Sequence, residues 1–147
     1  MSKNLRKASN KIAVVPEDRT YTANHEWVKL DEAVVIMGVT APLLKSLGAL
    51  IALELPERGD EMMVGVPFGS VEGVKGLHEM MPPADAAILE VNEGLVWDLD
   101  ALLADPYGRG WLLKIKVHTP DQLRSLLAAQ AYRERCKEVW GKDSGID

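Results

Sequence analysis

The chain has 147 residues, 47% of them apolar and 27% charged, enough for one domain with a real core and too few for two. This balance excludes a disordered chain, and no apolar stretch reaches the length needed to cross a bilayer. A net charge of −5 sets nucleic acid aside as the main partner, because phosphate contacts need a basic surface, and suits docking on basic patches of larger enzymes.

The first residues, Ser2 to Lys11, are basic and polar without an apolar core, so no secretory signal is expected. Residues 1–19 read as a tail closed by Pro16-Glu17-Asp18-Arg19. Trp27 to Leu30 and Ala33 to Val39 read as a hairpin turning at Asp31-Glu32. Thr40 is placed to cap a short helix over Pro42 to Leu47, with Gly48 ending it. Ala49 to Leu55 is a further strand stopped by Pro56, and Gly59-Asp60 makes the next turn. Val64 to Val71 and Ala86 to Val91 read as the strands on either side of Lys75. Asp100 is expected to cap a helical turn through Leu103, ended by Pro106, before a last strand from Trp111 to Val117. Thr119-Pro120-Asp121-Gln122 reads as a capping box opening a C-terminal helix, with Leu123, Leu126, Leu127 and Ala131 as its buried stripe. Many short strands with closely spaced turn signals point to a sandwich or barrel.

Lys75 is the residue that carries chemistry. It stands in Val71-Glu72-Gly73-Val74-Lys75-Gly76-Leu77, between apolar runs, with a glycine on each side and a carboxylate three residues before it. A hairpin tip presents its side chains to solvent, and nearby glycines relax the backbone for close approach. Such a lysine either keeps the surface soluble or serves as the attachment point for a carried group. No nucleophile elbow, phosphate-binding glycine loop or acid–base constellation occurs, so an enzyme acting alone is not expected. Three scattered histidines and the single cysteine, Cys136, supply no metal-ligand spacing. One cysteine also leaves no internal disulfide and suits a reducing cytoplasm.

Tyr21-Thr22-Ala23-Asn24-His25-Glu26-Trp27-Val28, Met37-Gly38-Val39-Thr40, Leu53-Glu54-Leu55-Pro56, the Lys75 segment, Glu90-Val91-Asn92-Glu93 and Asp105-Pro106-Tyr107-Gly108-Arg109-Gly110-Trp111 follow in this order. Together they resemble the H-protein family of the glycine cleavage system, over about Tyr21 to Tyr132. The resemblance implies a mainly β, barrel-sandwich hybrid of antiparallel sheets with a C-terminal helix. It divides the chain into a tail (1–19), a lipoyl domain (20–132) and a helical extension (133–147). It further implies lipoate joined by an amide bond to Lys75, with Gly73 and Gly76 at the hairpin tip. Glu72 would help a lipoate ligase or lipoyl transferase choose this lysine. In that family the carrier accepts an aminomethyl group from a glycine decarboxylase and delivers it to a folate-dependent aminomethyltransferase. A flavin enzyme, dihydrolipoyl dehydrogenase, then reoxidises it.

The chain departs from the family around the arm. Gly73 and Gly76 stand where serine and alanine are common, and Ala86 stands where a glycine is usual eleven residues after the lysine. Leu77 to Pro83 is bulkier and more apolar than the family's small, polar stretch, with Met80 and Met81 serving either core packing or docking. Two alternatives stay open on these grounds. One is a lipoate carrier of a heterodisulfide-reductase-like sulfur-oxidation system; the other is a binding module that kept the fold without the cofactor. His25 reads as structural, His78 either as a solvent-facing loop residue or as a neighbour of the docked arm, and Cys136 as a small side chain at a helix edge.

Overall fold

A computed structural model of the chain describes residues 14–141. Residues 1–13 of the expected tail and the last six residues of the expected extension lie outside the described residues. The strands are β1 (Thr20–Tyr21), β2 (Glu26–Asp31), β3 (Val34–Val39), β4 (Leu50–Glu54), β5 (Glu61–Met62), β6 (Gly69–Gly73), β7 (Gly76–Met80), β8 (Ala86–Val91) and β9 (Leu113–Val117). They form a six-stranded sheet in the order β1-β2-β3-β9-β8-β5 and a three-stranded sheet in the order β4-β6-β7, with every pairing antiparallel. The helices are α1 (Ala41–Leu47), α2 (Leu99–Ala104) and α3 (Ala129–Trp140). The expected barrel-sandwich of antiparallel sheets with a C-terminal helix is what the chain forms.

Period-two patterning builds the main core. Val35, Met37, Val39, Leu113 and Ile115 point inward and are buried, while Lys114 and Lys116 alternate outward. The register sets Met37 opposite Leu113 and Val35 opposite Ile115. From the other sheet Leu53, Val71 and Met80 close onto the same cluster. Each such side chain contributes about 1.5–3 kcal/mol by leaving water. A second cluster on the opposite side of β2 joins Tyr21, Trp27, Tyr132 and Cys136.

Several elements begin where expected. Thr40 accepts from the Leu43 N–H at the start of α1, and Gly48 ends it at a φ of 71°. The first hairpin turns at Glu32-Ala33, one residue later than expected, because Asp31 still pairs with Val34 and Glu32 takes a left-handed φ of 56°.

Others differ. The strands flanking Lys75 are β6 and β7, not Val64 to Val71 and Ala86 to Val91. Val64 to Pro67 instead turns at Gly65 (φ 88°), where the Val66 N–H donates to the Met63 carbonyl. Gly76 to Met80 has no β-branched residue to announce a strand, and pairing with β6 imposes one. Asp98, not Asp100, caps α2, its Oδ1 accepting from Ala101 N–H at 3.2 Å.

The capping box at Thr119 does not form. Gln122 is drawn away by Asp85, taking that residue's backbone N–H at 2.7 Å and donating to its carboxylate at 3.1 Å. Pro120–Ser125 is consequently a 3₁₀ stretch, and Leu127 pairs with Tyr21 through two backbone hydrogen bonds before α3 starts. The buried face of α3 is Ala129, Tyr132 and Cys136, whereas Ala131 is exposed. The helix runs unbroken through the expected domain boundary after Tyr132.

Gly38 lies under the Trp27 indole, where an added Cβ would sit 2.6 Å from Nε1. The indole is fixed from above, donating to the Pro106 carbonyl at 3.0 Å. Gly38→Ala is therefore expected to destabilise by about 1–3 kcal/mol through overpacking, read as a lower midpoint in urea with an unchanged slope.

Candidate functional site

Lys75 is the second residue of a two-residue turn, Val74-Lys75, closed by the facing pair Gly73 and Gly76. Turns of this length usually need a positive φ to match the strand twist. Neither Val74 nor Lys75 has one. Their conformation is held instead from outside. The Lys75 N–H donates to the Leu47 carbonyl at 3.0 Å, and the Val74 N–H donates to the Ala49 carbonyl at 2.9 Å. Both acceptors lie at the junction of α1 and β4, and the Lys75 amide satisfies a carbonyl that the end of α1 leaves without an intrahelical partner.

This contact separates the roles of the two glycines. A Cβ on Gly73 would fall 2.2 Å from the Leu47 carbonyl oxygen and 2.8 Å from its carbon, backbone atoms that cannot swing aside. At Gly76 a Cβ would meet nothing within 4 Å. Gly73 thus permits the close approach that holds the turn, and Gly76 is unconstrained. Gly73 therefore acts by permitting an anchoring contact and not, as expected, by relaxing the tip.

The Lys75 side chain is exposed, while the peptide beneath it is tied down. Register and alternation put Ala52, Glu54, Ser70, Glu72, Leu77 and Glu79 together on the outer face of the three-stranded sheet. Glu72 lies on that face, exposed, opposite Leu77. The surface beside the lysine therefore carries three carboxylates with apolar Leu77 and Val74 among them, which favours a cationic partner.

The inner face of the same sheet meets a buried polar cluster. Glu26 is fully buried, yet it accepts from Thr22 Oγ1 at 2.6 Å, Asn24 Nδ2 at 2.8 Å and Met81 N–H at 3.3 Å. His78 is part of this cluster, on β7 rather than in a loop, with its Nε2 3.5 Å from Glu26. Three donors around one carboxylate offset its desolvation and tie β2 to the lysine hairpin. Glu26 escaped the sequence reading; its signal is a carboxylate at the start of an aromatic strand with Thr22 and Asn24 just before it. Met80 is fully buried, so its use is core packing.

His25 adjoins this cluster as a structural residue. It holds a left-handed φ of 75°, bonds Tyr132 Oη through Nδ1 at 2.8 Å and packs against the Trp140 ring. Burial, with smaller contributions from His78 and Arg135, lowers its pKa to about 4. Cys136 is likewise structural, because burial pushes its thiol up and keeps it protonated.

Two outcomes are expected. Gly73→Ala should lower stability by about 1–3 kcal/mol and Gly76→Ala should leave it within about 0.5 kcal/mol, compared by urea unfolding. The folded pKa of His25, about 4, lies below its unfolded value of 6.5, so the unfolded chain binds more protons between those values. Stability from this group is complete above pH 6.5 and falls on acidification toward pH 4. His25→Asn, which tolerates the left-handed backbone, should flatten the melting-temperature profile across that window.

The model of the family described as "Glycine cleavage H-protein" matches residues 19–139. A glycine cleavage system H protein of Crocosphaera subtropica is 40% identical over 119 residues, covering 80% of this chain and 90% of the relative. One from Carboxydothermus hydrogenoformans is 37% identical over 127 residues, covering 86% and 98%. The crystal structure of a glycine cleavage system H protein from Mycobacterium marinum superposes with a TM-score of 0.76 at 34% identity, covering 82% of this chain and 98% of that one. On this match across sheets, lysine hairpin and C-terminal helix, the chain belongs to the glycine cleavage H-protein family.

Proposed function

We propose that the chain is a lipoyl carrier of the glycine cleavage system, with lipoate joined through an amide to Lys75 Nζ. The observation that carries this reading is an exposed amine on a turn whose two backbone amides are anchored to the α1–β4 junction. A carrier needs an acylable amine, access for several enzymes and a stiff base, and Lys75 combines all three. The residues fit the group: the lysine is exposed, and among the described residues acylation removes a charge that no ion pair uses.

When bound, lipoate supplies a reversible disulfide–dithiol couple on a long neutral arm. The protein's part is positional. The Leu47 and Ala49 carbonyls hold the base of the arm, and tethering raises the local concentration of the carried group at each partner. Glu72, on the exposed outer face, is the recognition residue for the attaching ligase or transferase. The partners are then glycine decarboxylase, aminomethyltransferase and dihydrolipoyl dehydrogenase, and the compartment is the cytoplasm. That the relatives are named as glycine cleavage proteins favours this chemistry over the sulfur-oxidation alternative. It also favours a modified carrier over a module without cofactor. No helix among the described residues is long and apolar enough to cross a membrane.

Intact mass after co-expression with a lipoate ligase tests the reading. The wild-type chain should gain one lipoyl group and Lys75→Arg none, while Glu72→Gln should slow the gain without altering the melting temperature. An unmodified wild-type chain would sink the proposal, and glycine–bicarbonate exchange with glycine decarboxylase then tests the substrate.

A further inference from the structure

Trp97 is 90% exposed, more than any other large apolar side chain among the described residues. It ends the 3₁₀ turn Glu93–Trp97, which is anchored in the core by Leu95 and not by the indole. The turn and α2 form a spur on the protein surface. From Glu93 to Asp105 the spur contains Glu93, Asp98, Asp100 and Asp105 and no basic residue of its own, and the cation that lines a groove with it is Arg109, beside Gly94, Asp98 and Ala101. All four residues are exposed alongside Trp97, with Asp98 and Asp105 also accepting the backbone N–H groups of Ala101 and Arg109.

We propose that this spur is a docking point for a lysine- and arginine-bearing surface on one of the enzymes that visit Lys75, an inference that rests on the carrier reading. An indole face attracts a guanidinium or ammonium group, and flanking carboxylates accept its N–H bonds. Tryptophan is also the residue most enriched where interface energy concentrates. Four acidic residues against one neighbouring arginine disfavour a phosphate-rich partner or an anionic membrane surface. A second copy meeting this spur across a two-fold axis would set acid against acid.

The spur is continuous with the carrier hairpin. Its 3₁₀ turn and α2 both pack against β4. β4 begins at Leu50 opposite Gly73, directly after the Ala49 carbonyl that holds the Val74 amide. Five residues of strand span roughly 17 Å, which bounds the distance along β4 from the spur's contact to the base of the arm. Ile51, at the bulge of β4, and Val74, at the turn, are exposed apolar side chains at the arm end of this connection. Docking here adds a second contact to the arm itself, so the enzyme holds the carrier as well as its cargo.

The test uses the full-length lipoylated chain, Trp97→Ala and a Glu93→Lys/Asp100→Lys double variant. KM for the carrier and kcat are measured with glycine decarboxylase, aminomethyltransferase and dihydrolipoyl dehydrogenase at low and high salt. With at least one enzyme, Trp97→Ala should raise KM roughly tenfold and leave kcat unchanged, the effect of truncating a central aromatic anchor. The double variant should raise KM at low salt and lose its salt dependence. Because Trp97 lies outside the core, Trp97→Ala should keep the wild-type melting temperature, while the double variant, with lysines in the first turns at Glu93 and Asp100, should melt slightly lower and is compared below its own transition. KM within about twofold of wild type for all three enzymes would overturn the proposal. So would a wild-type self-association, seen by sedimentation, that Trp97→Ala abolishes. Failure of the carrier reading looks different, since the wild-type chain would then remain unlipoylated or inactive with all three enzymes, and both inferences would fall together.

Discussion

Two hydrogen bonds, from the amides of Val74 and Lys75 to the carbonyls of Ala49 and Leu47, organise the functional end of the molecule. They exist because Gly73 has no side chain, which lets the end of α1 come within a distance that any Cβ would forbid. Without them the hairpin tip would be a two-residue turn lacking the left-handed residues that normally match strand twist. With them the outermost point of the three-stranded sheet becomes one of its better-fixed points. Any side chain at this position would need a different spacing between helix and turn. The glycine is therefore a local solution in this chain, not a relaxed loop.

Rigidity at the tip depends in turn on how the small sheet is joined to the large one. Leu53, Val71 and Met80 enter the shared core from one side, and the Glu26 cluster pins β7 from the other. A buried carboxylate with three well-placed donors adds direction to a contact that apolar packing alone would leave free to slide. The sheet that bears the arm is thus held by apolar contacts beneath β4, β6 and Met80 at the end of β7, and by polar contacts at His78 in the middle of β7.

The far side of β2 is closed by aromatic side chains from both ends of the chain. Tyr21 stacks on Tyr132 at 4.7 Å between ring centroids, while Tyr132 Oη also bonds His25 and Thr40. The Thr40 hydroxyl takes part both in the cap of α1 and in this cluster. The hydroxyl pair Tyr132–Thr40 thus joins α3 to the start of α1, the helix whose other end supports the lysine turn. Charge is divided in the same economical way. The outer sheet face and the Trp97 spur are acidic, while the cations Arg19 and Lys29 pair with Asp18 away from the arm.

By itself the sequence determined whatever short-range rules control. Alternating Val, Met, Ile and Leu set the strands of the large sheet, Thr40 and Gly48 bounded α1, and glycines around Lys75 marked an exposed tip. The ordered motifs identified the family for the same reason: they are local strings at turns and strand ends. Tertiary structure decided the rest, where a distant group competes with a local preference. β7 is a strand only because β6 lies beside it, and Gln122 leaves the expected cap because Asp85, thirty-seven residues away, offers two hydrogen bonds. The burial of Glu26, the distinction between Gly73 and Gly76, and the support of the turn by Leu47 depend likewise on atoms that no local window contains. Lys75 could be found by its neighbours in the chain; what makes it a fixed base for an arm is its neighbours in space.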